Sequence, residues 1–251
     1  MCAAATPSAG SPSPARHEPL LTIIIPAYNE EDCLEGVVRT TVAEAVQADL
    51  DYELLIVDDG SSDRTVEIAR RLIAGDPGRR RLVRHHVNRG SGMAIRTGIA
   101  FARGALVIYV PADGQFEIAE LRDYVAAARD AEIVIGGRVA RSDYSWFRLL
   151  SSRVFIFLCN HLFRQEFTDV NWVHLWRRRI FETVQAKSAG VFFLEEILAR
   201  ARRQGCRVVE IPSQYKPRGG GKAKGSRPTV ILRTIVDMIH LWVELHLPRG
   251  L

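Results

Sequence analysis

Short apolar runs and helically spaced apolar positions take turns along the first half of the chain. Leu21 to Ile25 is a run of strand length, and Leu34, Val37, Val38, Thr41, Val42, Ala45 and Val46 follow at the spacing of a helix with one buried face. Tyr52 to Val57 predicts a second strand, ending in Asp58-Asp59-Gly60, and Asp63 to Ala74 a helix opened by a Ser/Asp cap. Arg81 to Val87 predicts a third strand, Ser91 to Ala102 a third helix, and Ala105 to Val110 a fourth strand stopped by Pro111. Strand, helix and strand joined by short connections imply an α/β domain on a mainly parallel sheet, because parallel neighbours need a crossover and a helix makes it compactly.

The second half is less regular. Tyr144 to Arg164 predicts one or two helices rich in aromatic residues, Val191 to Arg203 another helix, and Arg207 to Ile211 a strand. Lys216 to Pro228 holds five basic residues, no acid and a Gly triplet, the pattern of a cationic loop. Thr229 to His246 predicts the last helix, whose Arg233, Asp237, His240 and Glu244 form one narrow polar stripe opposite a wide face of Ile, Leu, Val, Met and Trp. Residues 1–19 are rich in Pro, Ala and Ser with no apolar block, so they are expected to be a disordered arm. The expected organisation is that arm, a domain over residues 20–228 and an amphipathic helix over 229–251.

Composition narrows the class. With 251 residues, 47% apolar and 25% charged, the chain suits one large domain or two small ones, and disorder throughout is excluded. Its apolar stretches are broken by charges before the roughly 18 to 20 residues that a bilayer crossing needs, so no span is predicted. Cys2, Cys33, Cys159 and Cys206 show no C-x-x-C spacing, which signals neither a zinc cage nor a disulfide framework and points to a reducing, cytoplasmic setting. The formal charge of +5, from 34 Lys and Arg against 29 Asp and Glu, suits an anionic ligand such as a nucleotide, a phospholipid headgroup or nucleic acid without choosing among them.

The chemistry-bearing residues gather after the predicted strands, where an open α/β sheet binds its ligands. These segments are Pro26-Ala27-Tyr28-Asn29-Glu30, Asp58-Asp59-Gly60-Ser61-Ser62, Asn88-Arg89-Gly90-Ser91-Gly92 and Pro111-Ala112-Asp113-Gly114-Gln115. Asp113 and Gln115 offer a carboxylate and an amide oxygen two residues apart, and both can face one hard cation whose shell diphosphate oxygens and water complete; the same pair could instead cap a helix beginning near Glu117. A dinucleotide-binding G-x-G-x-x-G is not present, since position 95 is Ile and the segment follows the third strand.

In order and spacing, these four segments resemble glycosyltransferase family 2 from about Leu21 to Lys224. Ile135-Gly136-Gly137-Arg138 and the segment from Tyr215-Lys216-Pro217-Arg218 to Gly221-Lys222-Ala223-Lys224 are most similar to the dolichyl-phosphate mannose synthase, or polyprenyl-phosphate glycosyltransferase, branch. The resemblance implies a GT-A fold: a Rossmann-like, mainly parallel sheet with flanking helices, a nucleotide-sugar half over about 20–115, and an acceptor half over about 116–228 with a helical region behind it. It implies inverting transfer of a sugar from a GDP- or UDP-sugar. By position Pro26, Tyr28, Glu30, Val57, Asp59 and Ala112 would hold the donor, Asp113 and Gln115 would hold Mg²⁺ or Mn²⁺, and Arg138, Arg218 and Lys224 would meet phosphates. Pro111 stands where the family usually has a further Asp, which removes one expected ligand.

The acceptor is a polyprenyl phosphate or, as the alternative, a soluble hydroxyl. A phosphate is already anionic and attacks unaided, whereas a hydroxyl needs a base, for which Asp169 and Glu195-Glu196 are candidates and His161 and His174 weaker ones. The lipid acceptor gains from the aromatic run Trp146 to Phe163 and the last helix, whose apolar faces could meet a membrane from the cytoplasmic side, form a homodimer contact or pack as core. A non-catalytic nucleotide or nucleic-acid module ranks below both, and no nucleic-acid motif is present.

Overall fold

The computed structural model describes residues 19–139, 144–217 and 228–247. In the first half β1 (Leu21–Ala27), β2 (Tyr52–Asp58), β3 (Arg80–Arg84) and β4 (Leu106–Tyr109) pair in parallel, connected by α1 (Leu34–Gln47), α2 (Thr65–Ala74) and α3 (Ser91–Phe101). The same sheet continues into β5 (Ile133–Arg138), β6 (His174–Arg177) and β7 (Val208–Ser213), with α4 (Leu121–Ala127), α5 (Trp146–Phe163) and α6 (Phe193–Arg203) between strands and α7 (Pro228–His246) last. The order is β3-β2-β1-β4-β6-β5-β7, and among the described strands only β6 runs antiparallel to its neighbours.

Helices on both faces explain why β1, β2 and β4 are apolar on both faces. Ile23, Ile25, Leu54 and Ile56 join one core with α1, α2 and α4, while Ile24, Leu55, Val57 and Val107 join a second core with α3, α6 and α7. The edge strands β3 and β7 are only half-buried and carry Arg80, Arg81, Arg84, Glu210 and Pro212, which discourage further strand pairing.

The predicted order of elements holds where the pattern was long. Three features differ. β3 stops at Arg84, short of Val87, where its partner strand β2 ends at Asp58, the residue paired with Arg84. β5 and β6 were not predicted: one runs into a Gly pair and the other has four residues, both too short to show a period. The last helix buries only part of its apolar face. Met238 and Leu241 are buried, but Glu244 pairs inward with Arg200 and Lys187, and Leu232, Ile235, Val236, Ile239 and Trp242 stay exposed. The N-terminal arm lies outside the described residues.

Candidate active site

The first two loops at the carboxyl edge of the sheet are tied to each other. Asn29, in the left-handed region at φ 51°, accepts the Ser62 N–H on Oδ1 at 2.9 Å and donates its own N–H to Ser61 Oγ at 2.9 Å. The Glu30 N–H donates to Thr65 Oγ1 at 2.9 Å, and Glu31 accepts from the Arg64 N–H and side chain. Asp63 accepts the Thr65 N–H at 3.0 Å, the cap that the sequence predicted. Much of the polar signature after β1 and β2 therefore builds the loops.

The Asp58-Asp59 doublet divides its work. Asp58 is fully buried and turns its carboxylate to the Ser61 N–H and Arg84. Asp59 holds the third loop, accepting the Arg89 N–H at 2.9 Å and the Gly90 N–H at 2.8 Å. His85 Nδ1 lies 2.6 Å from Asp59 Oδ1, and its Nε2 lies 2.9 Å from Thr97 Oγ1, which links the loop to α3. Gly60 sits at φ 77° against the Val87 and Asn88 backbone, 2.6 Å from where a Cβ would stand, so only glycine fits.

Two cavities open beyond the strand ends. The larger, about 850 Å³, is lined by Pro26, Tyr28, Glu30, Asp59, Ala112 and Asp113 from the strand ends and by the loop at Asn88 to Gly92. Its opposite wall is Ala189-Gly190 and the α7 residues Arg233 and Asp237. The second, about 440 Å³, is bounded by Gln115, Arg138 and Asp169 and then by apolar residues of α5 and α7, including Phe147, Phe155, Ile235 and Met238. Tyr109, Pro111, Asp113, Asn171, Val230 and Thr234 border both. Asp113 thus stands at the junction.

The turn at Asp113 is firmly held. Asp113 Oδ1 accepts the Gln115 N–H at 3.2 Å, Gln115 Nε2 donates to the Tyr215 hydroxyl at 2.5 Å, and the Lys216 N–H donates to the Gln115 carbonyl at 2.8 Å. The segment before the basic loop is therefore anchored beside this turn, while Arg218 and Lys224 themselves lie outside the described residues. Among the described residues no group of three His, Cys, Asp or Glu could hold a metal. What the turn offers is the Asp113 carboxylate and, with its amide nitrogen committed to Tyr215, the Gln115 amide oxygen. Such an oxygen pair fits a hard cation only if diphosphate and water supply the remaining ligands.

Arg138 and Asp169 come together as a nearly buried ion pair, 2.5 Å from Nε to Oδ2 and 3.0 Å from Nη2 to Oδ1. Arg138 also donates to the Tyr144 hydroxyl at 2.6 Å and lies 4.8 Å from the Trp172 ring centre. Both Asp169 oxygens are engaged, which leaves it badly set to take a proton. Behind the pair, His174 is fully buried with neither ring nitrogen partnered, and burial pushes it down to about 4. Glu195, also buried, accepts from Gln165 Nε2 at 2.8 Å and is pushed up to about 8 by burial. Glu196 anchors the Lys187 and Ser188 N–H groups and Arg200.

The structure brings Pro26, Tyr28, Glu30, Asp59, Ala112 and Asp113 to one cavity and Gln115, Arg138 and Asp169 to the other. Val57 lines neither cavity: its side chain is wholly buried in the core that it shares with α3. Glu195 and Glu196 are likewise buried inside α6 contacts, and His161 is exposed on α5. Sequence reasoning missed Tyr109, Asn171, Ala189-Gly190, Arg233 and Asp237 as wall residues. The signal for the last two was present in the polar stripe of the final helix, whose facing the pattern does not specify.

The mostly parallel sheet, with its carboxyl-edge loops and the cleft at Asp113, has the GT-A-like fold of glycosyltransferases. The family model "Glycosyl transferase family 2" matches residues 22–185, and the chain belongs to that family. Two undecaprenyl-phosphate 4-deoxy-4-formamido-L-arabinose transferases, from Edwardsiella ictaluri and Sodalis glossinidius, are each 33% identical, over 81% and 82% of this chain. The chain spans 62% and 63% of the length of those two relatives. A crystal structure of glucosyl-3-phosphoglycerate synthase from Mycobacterium tuberculosis with Mn²⁺, UDP and phosphoglyceric acid superposes with a TM-score of 0.69 at 16% identity, covering 92% of this chain and 80% of that one. The same enzyme with Mg²⁺ and UDP gives 0.68, again at 16% identity, over 89% of this chain and 79% of that one.

Proposed function

We propose that the chain transfers a sugar, with inversion, from a nucleotide diphosphate sugar to a polyprenyl phosphate. The observation that carries this is the meeting of two cavities at Asp113: one of about 850 Å³ whose strand-end loops carry Glu30, Asp59 and Asp113, and one of about 440 Å³ that runs between two helices with exposed apolar faces. A polyprenyl phosphate is a charge on an apolar chain, and the second cavity offers Arg148 beside the Asp169-paired Arg138 at one end and an apolar length along α5 and α7. The relatives from Edwardsiella and Sodalis, named for a sugar transfer on undecaprenyl phosphate, support the same acceptor class.

The donor's nucleoside lies toward Pro26, Tyr28 and Asp59, and its diphosphate toward Asp113. An acceptor phosphate oxygen attacks the anomeric carbon, the bond to the diphosphate oxygen breaks, and its electron pair leaves with the nucleoside diphosphate. No proton must be removed, since the attacking group is already anionic. Asp113 and Gln115 would hold Mg²⁺ or Mn²⁺, which when bound supplies counter-charge for the departing diphosphate. Arg138 faces the acceptor phosphate, with Asp169 as its positioning residue. Arg218 and Lys224 would close on the phosphates from the loop that follows the Tyr215-Lys216 anchor. Contact of the apolar faces with the cytoplasmic leaflet brings the lipid phosphate to the junction.

The alternative keeps the donor and uses a soluble hydroxyl. It would require a base at the junction, and the engaged oxygens of Asp169 speak against that. Incubating the purified chain with nucleotide sugars and either a polyprenyl phosphate or the matching polyprenol in detergent separates the two. Transfer to the phosphate alone is expected; transfer to the alcohol or to soluble sugars alone would overturn the lipid-phosphate acceptor.

A further inference from the structure

We propose that Arg233 and Asp237 of α7 hold the nucleotide sugar from the side of the cleft opposite the strand ends, Arg233 at the diphosphate and Asp237 at sugar hydroxyls. This rests on the proposed nucleotide-sugar site and assigns its remaining wall. Both side chains line the larger cavity one helical turn apart on α7, Arg233 exposed at its mouth and Asp237 half-buried.

The position along the helix decides which part of the donor they meet. Val230 and Thr234 border both cavities together with Asp113, so this stretch of α7 starts at the junction where the anomeric carbon must lie. Arg233 and Asp237 face only the donor cavity from there. The nucleoside end at Pro26, Asp59 and Asn88 belongs to the other wall. Charge says the same. Among the described residues Arg233 makes no ion pair or hydrogen bond, unlike Arg138, bound to Asp169, Arg200, bound to Glu196 and Glu244, and Arg96, bound to two carbonyls. An uncommitted guanidinium on a cavity wall is suited to phosphate oxygens, which it can take in pairs. Asp237 is half-buried and also lacks an ion pair, with Arg233, His240 and Glu196 as its charged neighbours. A partly desolvated carboxylate without a cation bound to it gains from hydroxyl donors.

The mount of α7 makes this wall dependable. Glu244 accepts from Arg200 at 2.8 and 3.1 Å and from Lys187 Nζ at 2.9 Å, and Glu196 ties Arg200 to the loop that carries Ala189 and Gly190. Gly92 of α3 approaches that loop so closely that a Cβ would stand 2.4 Å from the Gly190 carbonyl oxygen. The helix, the loop and α3 thus form one side of the cleft.

Calorimetric titration of the intact chain with UDP, GDP, their nucleosides, UDP-glucose, UDP-N-acetylglucosamine and GDP-mannose, in Mg²⁺, tests the assignment. Arg233→Ala is expected to weaken the preferred nucleoside diphosphate about tenfold or more and leave its nucleoside within about twofold, with Arg233→Lys recovering only part of the loss because an ammonium cannot take two oxygens side by side. Asp237→Asn is expected to weaken the preferred nucleotide sugar several-fold, by about 1 kcal/mol, and spare the nucleoside diphosphate. Equal diphosphate affinity in wild type and Arg233→Ala, with unchanged melting temperatures, overturns the role of Arg233. Equal nucleotide-sugar affinity in Asp237→Asn overturns that of Asp237. A wild type that binds no nucleotide at all overturns the donor site itself.

Discussion

Asp113 is the carboxylate that both cavities share, and the proposed reaction centres on it. Asp113→Ala should lower kcat by roughly a hundredfold to a thousandfold, as the departing diphosphate loses its counter-charge; an unchanged rate in a steady-state assay would contradict this. Arg138 and Asp169 act as a unit, and Asp169→Ala would leave a nearly buried guanidinium unpaired. Chemical denaturation should show a loss of about 3 to 5 kcal/mol, against a small change if the pair were solvated. Two buried groups set the pH range of stability. Glu195 keeps its proton up to about 8 in the folded state against 4.5 as the reference, so its contribution is full below 4.5 and is lost as pH rises through 8. His174 falls to about 4 from 6.5, so its contribution is present above 6.5 and is lost as pH drops through 4. Glu195→Gln should flatten the decline in stability between pH 4.5 and 8, and an unaltered decline in melting temperature would count against it. Which residues matter was legible at the strand ends, because Asp, Asn and Gly there follow apolar runs. Their division of labour was not: Asp59 and Asn29 spend much of their hydrogen bonding on neighbouring loops, and Val57 points into the core, and only the fold reveals such directions.

The helices of the second half were legible as elements and misleading as surfaces. α5 is one helix, opened by Ser145 Oγ accepting the Arg148 N–H at 3.3 Å, and its Trp146, Phe147, Leu150, Val154 and Phe157 are exposed. α7 has the polar stripe and apolar face that its spacing predicts, yet periodicity is silent on which of them meets the body. Met238 and Leu241 are buried and Glu244 reaches Arg200 and Lys187, while Arg233 and His240 of the polar stripe and Ile239 and Trp242 of the apolar face stay exposed. The double variant Ile239→Ser, Trp242→Ser should bind anionic vesicles at least about tenfold more weakly in sedimentation, while keeping its affinity for a nucleoside diphosphate. A change in oligomeric state with vesicle binding intact would make that face a homodimer contact instead. β5 and β6 escaped because their neighbours, more than their own short sequences, make them strands: Ile133 pairs with Trp176 on one side and Val208 on the other.

Across the whole molecule one sheet organises two chemistries. Its first four strands deliver the loops of the larger cavity, proposed for the donor, and β5 with the β6 side delivers Arg138 and Asp169 to the smaller one, proposed for the acceptor. Alternating strands and helices made the α/β fold readable from the sequence, whereas the antiparallel insertion of β6 and the roof formed by α7 are tertiary choices. No helix among the described residues is long and apolar enough to cross a membrane, and in the proposed function the exposed apolar faces of α5 and α7 are what would meet the lipid. The most direct measurement is a crystal structure of the chain with Mn²⁺ and the nucleoside diphosphate it prefers. The account predicts an anomalous peak between the Asp113 carboxylate and the diphosphate, with the nucleoside against Pro26 and Tyr28. A diphosphate bound away from Asp113, with that carboxylate turned from the metal, would contradict it.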